Sequence, residues 1–342
     1  AEAGWDPTYV IGGKLLSSSS NARLGRGEYL VAEADESDAS FLHLQPHVAI
    51  VTNIDADHLE TYQGNFERLV DHFVEFLHNL PFYGLAVLCA DDPVVMSIVA
   101  RVGRQVLTYG INQPADVQAT EVRAAGFGSQ FVVRLPNASA FECHLSMPGR
   151  HNVLNALAAI TVANDLGVPI AAIQNALASF QGVGRRLERR GSLFINGQTL
   201  PLVDDYGHHP RELEATLQAV RAAWPATRLV VIFQPHRFSR TRDLFEDFVR
   251  VLSTVDLLIL LDVYAAGEAP IAGADGRSLV RAIRNRGQVE PIFANDTDEV
   301  PQLLHDLLCN TNPTATLVLT LGAGNVGGLP ALLQAKYGVT HD

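Results

Sequence analysis

The amino-acid sequence predicts an α/β protein of two domains, the second of which is built on a mostly parallel sheet. The chain has 342 residues, 47% of them hydrophobic, whereas single hydrophobic cores rarely grow beyond about 250 residues. Apolar runs of strand length alternate with helical patterns through the second half, as they do in parallel sheets covered on both faces. Polar clusters follow several of these runs, and open α/β sheets bind ligands at the carboxyl ends of their strands.

The first half also combines strands with helices. Alternating apolar and polar residues between Asp116 and Leu145 predict an antiparallel patch. Elsewhere, short apolar runs predict strands, and apolar residues at helical spacing predict helices. The predicted elements are strands at 28–34, 48–54 and 85–89, a helix with Phe66, Leu69, Phe73 and Leu77 on one face, and helices at 152–166 and 169–180.

The domain boundary is predicted at residues 181–186, where the segment Q-G-V-G-R-R interrupts the pattern with two glycines. We therefore expect one domain at residues 1–182 and another at residues 183–342. The strands predicted in the second domain lie near Leu202 and at 229–233, 257–261, 290–293 and 316–321.

Composition excludes several classes of protein. The net charge of −12 and the pI near 5.4 disfavour a nucleic-acid surface, because phosphate backbones attract basic faces. Three widely separated cysteines, Cys89, Cys143 and Cys309, suggest neither a disulfide framework nor a thiolate zinc site. The first residues do not resemble a signal peptide, and no apolar stretch reaches the ~20 residues that span a bilayer. We expect a cytoplasmic protein that does not bind membranes.

The most informative motif is V-D-D-Y-G-H-H-P at residues 203–210. It places two carboxylates, a phenol and two imidazoles between an apolar run and a helical pattern that Pro210 opens, so it lies at a carboxyl strand end. So dense a polar cluster predicts a site. The alternative is a helix start that Asp205 caps, with incidental histidines.

Polar clusters in the first domain indicate further sites. Four carboxylates at 32–38 end one strand, and T-N-I-D-A-D-H at 52–58 ends the next; such oxygens suit a hard cation such as Mg²⁺, although capping and solvation also explain them. Asn152 and Asn155 face one side of a predicted helix and could hydrogen-bond a planar base, unless Asn152 is a helix cap. Arginine groups suggest anionic ligands, although a solvated face is the preferred explanation for Arg189 and Arg190.

Two glycine motifs do not predict nucleotide loops. I-G-G-K-L at 11–15 lacks the first glycine and the hydroxyl residue of a phosphate loop. G-A-G-N-V-G at 322–327 follows a predicted strand, but only fifteen residues come after it, too few for the next strand of a dinucleotide site. We expect these later glycines to form a tight turn from strand to helix.

Six motifs together resemble one family, the Mur ligases of bacterial cell-wall synthesis. They occur in the family's order over nearly the whole chain: E-A-D-E-S-D-A-S-F, T-N-I-D-A-D-H, P-G-R-H-N-V-L-N, V-D-D-Y-G-H-H-P, Q-P-H-R-F-S-R-T and L-G-A-G-N. The resemblance implies a central ATPase-type domain followed by a Rossmann-like C-terminal domain that receives the amino acid. It also implies a reaction in which ATP phosphorylates the carboxylate of UDP-N-acetylmuramate and the amine of L-alanine attacks the acyl phosphate.

The resemblance also implies roles for individual residues. Arg186 resembles an arginine that reaches the ATP phosphates, and Asp205 an acid near the ribose and phosphates. His208 is a candidate acceptor of the amine proton, with a positioning role as the alternative. The other residues implied are Glu33 and His58 as Mg²⁺ ligands, His151, Asn152 and Asn155 at adenine, and Tyr206, His208, His236, Arg237 and Arg240 around the amino acid and the reacting carboxylate.

One departure from the family pattern bears on activity. Family members carry a UDP-binding domain and a G-x-x-G-K-T-T phosphate loop ahead of the part at which this sequence begins, and neither occurs in it. We therefore expect a truncated central domain and a chain that is inactive by itself, whether as a fragment or as an incomplete gene product. A strand missing from the central sheet would expose an apolar edge and promote oligomers.

Three functions remain open from the sequence. The chain is part of the alanine-adding ligase, of a recycling ligase that attaches a preformed peptide to the same sugar, or of a non-catalytic binding module. The motif Y-G-H-H-P and the acidic sequence A-E-A-D-E-S-D at 32–38 favour the first of these functions, the alanine-adding ligase.

Overall fold

The computed structural model describes residues 1–136, 138–310 and 314–339. The chain forms two compact units, Ala1–Gln181 and Gly182–Asp342. No helix in these described ranges is long and apolar enough to cross a lipid bilayer.

The first unit contains two separate sheets, and helices cover the larger one. Its strands are β1 (Thr8–Leu15), β2 (Ser20–Arg23), β3 (Leu30–Ala32), β4 (Val48–Val51), β5 (Leu85–Cys89), β6 (Gln105–Gly110), β7 (Val117–Ala124), β8 (Ser129–Arg134) and β9 (Phe141–Leu145). Its helices are α1 (Phe66–His78), α2 (Pro93–Val102), α3 (Arg150–Asp165) and α4 (Ile170–Ser179).

The larger sheet has the strand order β4-β5-β6-β7-β8-β9. Strands β4 to β7 run parallel, whereas β7, β8 and β9 are antiparallel neighbours, which confirms the predicted antiparallel patch. Strand β5 is buried at every position, because Leu85 and Val87 belong to the core cluster of α3 while Ala86 and Leu88 belong to that of α1 and α2. Burial on both faces explains its continuous apolar run.

Local capping explains where two of these helices begin and end. The Asn65 side chain accepts a hydrogen bond from the backbone N–H of Arg68 at the start of α1. Asp92 does the same for Val95 at the start of α2, which Pro93 opens and Gly103 ends in the left-handed conformation (φ 61°). The sequence patterns had not indicated α2 or the following strand β6.

The small sheet differs from the sequence prediction. A strand was predicted over 28–34, but β3 covers only Leu30–Ala32 and pairs in parallel with β1. Strand β1 also pairs with β2, so these three strands form a sheet of their own. The segment I-G-G-K-L lies inside β1, in agreement with the rejection of a phosphate loop there.

The second unit alternates strands with helices. Its strands are β10 (Glu188–Ile195), β11 (Gln198–Asp205), β12 (Arg228–Phe233), β13 (Leu257–Leu261), β14 (Pro291–Ala294) and β15 (Thr316–Leu321). Its helices are α5 (Pro210–Ala223), α6 (Phe238–Asp243), α7 (Phe245–Leu252), α8 (Gly276–Arg286), α9 (Val300–Cys309) and α10 (Leu329–Tyr337).

The sheet of this unit has the order β10-β11-β15-β12-β13-β14. Every neighbouring pair is parallel except the β10–β11 hairpin, which confirms the predicted mostly parallel sheet. Arg189 and Arg190 lie exposed on β10, as the preferred explanation required.

The register of the parallel strands determines where polar side chains meet. Leu321 of β15 is paired with Asp205 on one side and with Phe233 on the other, and Phe233 is in turn paired with Leu260. The residues that follow these positions therefore lie along one edge of the sheet. This carboxyl edge collects the second-domain motifs that the sequence had singled out.

Candidate functional site

The buried Asp205 anchors the carboxyl edge of the second unit. Asp205 is 4% exposed, and its carboxylate accepts hydrogen bonds from the N–H groups of Leu187 (2.8 Å) and Gly207 (2.9 Å) and from Thr216 Oγ1 (3.1 Å). Burial raises the pKa of Asp205, while these hydrogen bonds oppose the rise. Asp205 therefore holds the loop of residues 206–209 and does not cap the following helix.

The cap of helix α5 is His209. Its side chain accepts a hydrogen bond at the helix start, and the Glu212 carboxylate accepts one from the His209 backbone N–H (3.1 Å), which completes a capping box. The Glu212 carboxylate also accepts from the N–H of His208 (2.9 Å) and lies 3.3 Å from His208 Nδ1. Burial alone would raise the pKa of Glu212, but His208 and Arg186 outweigh it and lower that pKa. Glu212 therefore fixes the backbone that presents His208.

Four aromatic rings form a continuous array along this edge. The ring centroids are 5.4 Å apart between Tyr206 and His208, 5.6 Å between His208 and His236, and 5.5 Å between His236 and Tyr264. The last pair is stacked with an interplanar angle of 14°. The array joins residues that follow β11, β12 and β13, and it contains three of the predicted site residues together with Tyr264, which the sequence motifs had not indicated.

His236 is held in its neutral form. Burial lowers its pKa to about 4, and electrostatic interactions with the neighbouring His208, Arg240 and Arg237 act in the same direction. Its Nδ1 atom is buried and has no hydrogen-bond partner within the described part of the chain. At neutral pH this imidazole can therefore serve as a hydrogen-bond acceptor.

Two arginines stand on the loop and short helix after β12. Arg237 has a left-handed backbone (φ 72°), and its N–H donates to the Tyr264 carbonyl at 2.8 Å. Arg240 is 8% exposed. The Glu268 carboxylate holds the first turn of α6 by accepting from the backbone N–H (2.9 Å) and Oγ (2.6 Å) of Ser239. The result is a rigid, positively charged edge beside a neutral imidazole, which suits a carboxylate ligand.

The glycine motif after β15 makes the predicted tight turn. A Cβ atom at Gly322 would lie 2.6 Å from the Gln234 carbonyl oxygen, and one at Gly324 would lie 2.5 Å from Gln234 Oε1 and 2.7 Å from the Tyr264 side chain. The Gln234 side chain accepts from the N–H of Val326 at 3.0 Å. Only glycine permits this close approach of the turn to β12 and to Tyr264.

Adjacent arginines at the start of the second unit are placed differently. The Arg186 side chain is 50% exposed and lies 3.6 Å from Glu212, with its guanidinium 5.5 Å from the centre of the Tyr206 ring. The Arg185 side chain is 24% exposed and is paired with Asp204, which is 2% exposed. The motif comparison had identified Arg186 and had overlooked Arg185, because nothing local in R-R distinguishes the two.

The proposed Mg²⁺ ligands lie in the first unit. Glu33 Oε2 accepts from the N–H of Gly12 at 2.6 Å, and His58 has a left-handed backbone (φ 53°) with Nε2 3.6 Å from Asp57 Oδ2. Over the ranges that the structure describes, no three His, Cys, Asp or Glu side chains are grouped closely enough to hold a metal. The side chains described in the structure therefore do not form a closed metal site.

The residues predicted to contact adenine lie at the start of α3. The N-cap position is Gly149 (φ 99°), and Asn152, in the first turn, donates through Nδ2 to the Pro148 carbonyl at 2.7 Å. Asn152 is therefore not the helix cap. His151 and Asn152 are half-buried and Asn155 is exposed, so this turn presents polar groups at the surface.

Comparison with known protein families shows which class of protein this chain belongs to. The model of the Mur ligase middle domain matches residues 14–163, and the model described as "Mur ligase, glutamate ligase domain" matches residues 185–324. The chain belongs to the Mur ligase family of amide-bond-forming ligases.

Individual relatives show which members of the family this chain is similar to. The chain is 60% identical to the UDP-N-acetylmuramate–L-alanine ligase of Halorhodospira halophila, over 97% of this chain and 68% of that protein. It is 59% identical to the enzyme of the same name from Methylococcus capsulatus, over 99% of this chain and 71% of that protein. Among solved structures, the UDP-N-acetylmuramate–alanine ligase of Thermotoga maritima matches with a TM-score of 0.79 and 26% identity, over 98% of this chain and 70% of that one.

Proposed function

We propose that this chain provides the ATP-binding and amino-acid-binding domains of a ligase that joins L-alanine to the carboxylate of UDP-N-acetylmuramate. The observation that carries this proposal is the carboxyl edge of the second unit, where Arg237 and Arg240 stand beside a neutral His236 and exposed Tyr206. The high identity to two ligases of that name supports the choice of substrates.

The reaction forms one amide bond and consumes one ATP. The muramyl carboxylate attacks the γ-phosphorus of ATP, which releases ADP and leaves an acyl phosphate. The amine of L-alanine then attacks the acyl carbon, and the tetrahedral intermediate expels phosphate. Arginine side chains at Arg237 and Arg240 hold carboxylates with paired hydrogen bonds, so they orient the amino acid for this attack.

The amine must lose a proton before it can attack. Positive charge on Arg237 and Arg240 disfavours the ammonium form of a nearby amino group. We assign His208, whose loop Glu212 holds, to accept that proton or to position the amine. Neutral His236 accepts a hydrogen bond from the amine.

We assign the residues of the ATP contacts as the family resemblance implies. His151, Asn152 and Asn155 offer imidazole and amide groups to adenine, and half-exposed Arg186 offers a guanidinium to the phosphates. Asp205 has its carboxylate fully engaged by neighbouring donors, so we assign it the role of holding the loop next to the nucleotide.

We assign Glu33 and His58 as the Mg²⁺ ligands, as the family resemblance implies. Mg²⁺ is commonly bound through one or two side chains together with substrate phosphates and water, so two protein ligands are enough. The Gly12 N–H fixes one oxygen of the Glu33 carboxylate. When bound, the ion neutralises charge on the transferring phosphoryl group.

We further propose that a polypeptide of residues 1–342 releases no phosphate when assayed alone. Its sequence contains no G-x-x-G-K-T-T segment, and a phosphate loop of this kind supplies backbone N–H groups to the β- and γ-phosphates.

Phosphate release from ATP tests both proposals. The assay contains Mg²⁺, UDP-N-acetylmuramate and L-alanine, with the 342-residue polypeptide used alone or fused behind the N-terminal third of the Halorhodospira halophila ligase. Release by the fusion alone is expected. Release by the unfused polypeptide would refute the need for the added segment. No release with L-alanine, but release when a preformed peptide replaces it, would identify the recycling reaction, and silence in every mixture would favour a binding module.

A further inference from the structure

Arg185 makes an unusual set of contacts for a side chain next to a substrate site. Its Nε donates to Asp204 Oδ2 at 2.9 Å and its Nη2 donates to the Gly322 carbonyl at 2.5 Å. Its guanidinium carbon lies 5.2 Å from the centre of the Tyr206 ring. One planar group therefore connects the ends of β11 and β15 with the first ring of the aromatic array.

The backbone of Arg185 is tied to the same place. Its carbonyl accepts from the N–H of Tyr206 at 2.6 Å, and its own N–H donates to Glu188 Oε2 at 2.9 Å. The residue adopts a left-handed conformation (φ 59°), which is uncommon for a residue with a side chain and is sustained only where the surroundings determine it.

The ion pair with Asp204 extends into the sheet. Asp204 Oδ1 accepts from Thr320 Oγ1 at 2.6 Å, so the carboxylate is bound on both sides. Burial raises the pKa of Asp204, and the Thr320 hydroxyl and Arg185 oppose that rise. A guanidinium in this pair has two of its directions committed to protein atoms and is not available as a flexible ligand.

The turn after β15 is built around the same guanidinium. A Cβ atom at Gly327 would lie 2.6 Å from Arg185 Nη1, so glycine at this position leaves room for the arginine. Gly322 accepts from Arg185 and has φ 134°. The 322–327 turn, which also lies against Tyr264, therefore packs against the Arg185 guanidinium at both of its ends.

We propose that Arg185 is a positioning residue for the ligase reaction: it locks Tyr206 and the glycine turn of residues 322–327 in the arrangement that receives substrates, while Arg186 contacts the nucleotide. This inference rests on the proposed function for its kinetic part and on the structure alone for its positional part. The pair R-R thus divides into an inward arginine that shapes the site and an outward one that binds ligand.

The test compares Arg185→Gln with Arg186→Gln, and uses Arg250→Gln as a control for loss of an exposed arginine that pairs with Glu214 on the surface. Gly327→Ala is a second test of the same contact, because the added methyl group displaces the Arg185 side chain without removing the charge of the arginine. Kinetics are measured on whichever form of the polypeptide releases phosphate. The ¹⁵N-glycine spectrum of the 342-residue chain reports on Gly322, Gly324 and Gly327 directly.

We expect Arg185→Gln and Gly327→Ala to lower kcat by about tenfold to a hundredfold with little change in the KM for ATP, since misplacement of about 1 Å costs that much. Both should shift the resonances of the turn glycines. Arg186→Gln should raise the KM for ATP and leave those resonances in place, and the control should do neither.

Two results would overturn the inference. Unchanged glycine resonances in Arg185→Gln would show that the turn does not depend on this side chain, whether or not any ligase activity is found. A rise in the KM for ATP that equals the effect of Arg186→Gln, without a fall in kcat, would show direct contact with the nucleotide. If no form of the polypeptide releases phosphate, the proposed function fails, but shifted turn glycines would still support the positional role.

Discussion

The two sheets that begin and end the chain use apolar residues in opposite ways. Strand β15 in the second unit is buried at all of its six positions, whereas β3 in the first unit is exposed at all three. Both are short apolar runs, L-V-A in β3 and T-L-V-L-T-L in β15. Strand β15 lies between β11 and β12, whereas β3 is an edge strand that pairs with β1 alone in the described part of the chain. Apolar character therefore makes a strand, but its neighbours decide how much that strand stabilises the fold.

The same contrast applies to charges. The Arg185–Asp204 pair is enclosed at the carboxyl edge of the second unit, whereas the Arg23–Asp6 pair on the small sheet has side chains 51% and 38% exposed. Enclosed pairs are costly to break because a charge remains out of water, and exposed pairs contribute little. The Arg185–Asp204 pair should therefore stabilise its surroundings more than the Arg23–Asp6 pair does.

The largest expected effect comes from a core leucine. Leu319→Ala should lower the free energy of unfolding by about 3 kcal/mol, because it removes a buried side chain and leaves a cavity, and Leu319 is 0% exposed. The matched change Leu30→Ala, at a residue 64% exposed, should cost less than about 0.5 kcal/mol. Urea unfolding measures both values. Equal losses would refute the contrast between the two sheets.

The ion pairs should differ next. Arg185→Ala should cost about 2 kcal/mol, because the buried Asp204 carboxyl loses its counter-charge and must take up a proton to compensate. Arg23→Ala should cost less than about 1 kcal/mol. The comparison is again made by denaturant unfolding at pH 7. If Arg23→Ala lowers the free energy of unfolding as much as Arg185→Ala does, the exposed Arg23–Asp6 pair stabilises the small sheet more than its exposure predicts.

The pH dependence of the free energy of unfolding should report the titration of His236. Its pKa is lowered to about 4 in the folded chain, against about 6.5 for an unperturbed histidine. The unfolded chain therefore binds the proton more readily, so the stabilisation is complete above pH 6.5 and is lost as the pH falls towards 4. We expect about 1–2 kcal/mol of this loss to disappear in His236→Gln, measured as the difference between the two unfolding curves from pH 7 to pH 4. Parallel curves would show that His236 does not titrate as described.

The smallest effect on stability should come from the edge of the larger first-unit sheet. Ile50 on β4 is 43% exposed, and β4 is the terminal strand of its sheet in the described structure. Ile50→Lys should change the free energy of unfolding by less than about 0.5 kcal/mol and should reduce self-association, because charged residues protect strand edges. Sedimentation over a range of concentrations measures the association. Unchanged association would locate any contact between copies elsewhere.

Prediction from the sequence succeeded where the signal was local. The apolar runs at 85–89, 257–261 and 316–321 coincide with β5, β13 and β15, since a strand buried on both faces needs a continuous apolar run. The acidic and histidine cluster after Val203 does stand at a carboxyl strand end. Strand β3 lies within the predicted run at 28–34 but is shorter, and its partner β1 was not predicted, because the pairing leaves no trace in the residues of β3 itself.

The sequence by itself determined the family, the two α/β patterns and the residue types at the strand ends, because each of these is written in short runs of the chain. Tertiary structure alone decided how those residues are used. It paired Arg185 with Asp204 and with Gly322, which is 137 residues away along the chain, and it engaged Asp205 with three donors while leaving Arg186 half exposed. Such contacts follow from the order of strands in the sheet, which brings distant segments together, and local sequence does not encode that order.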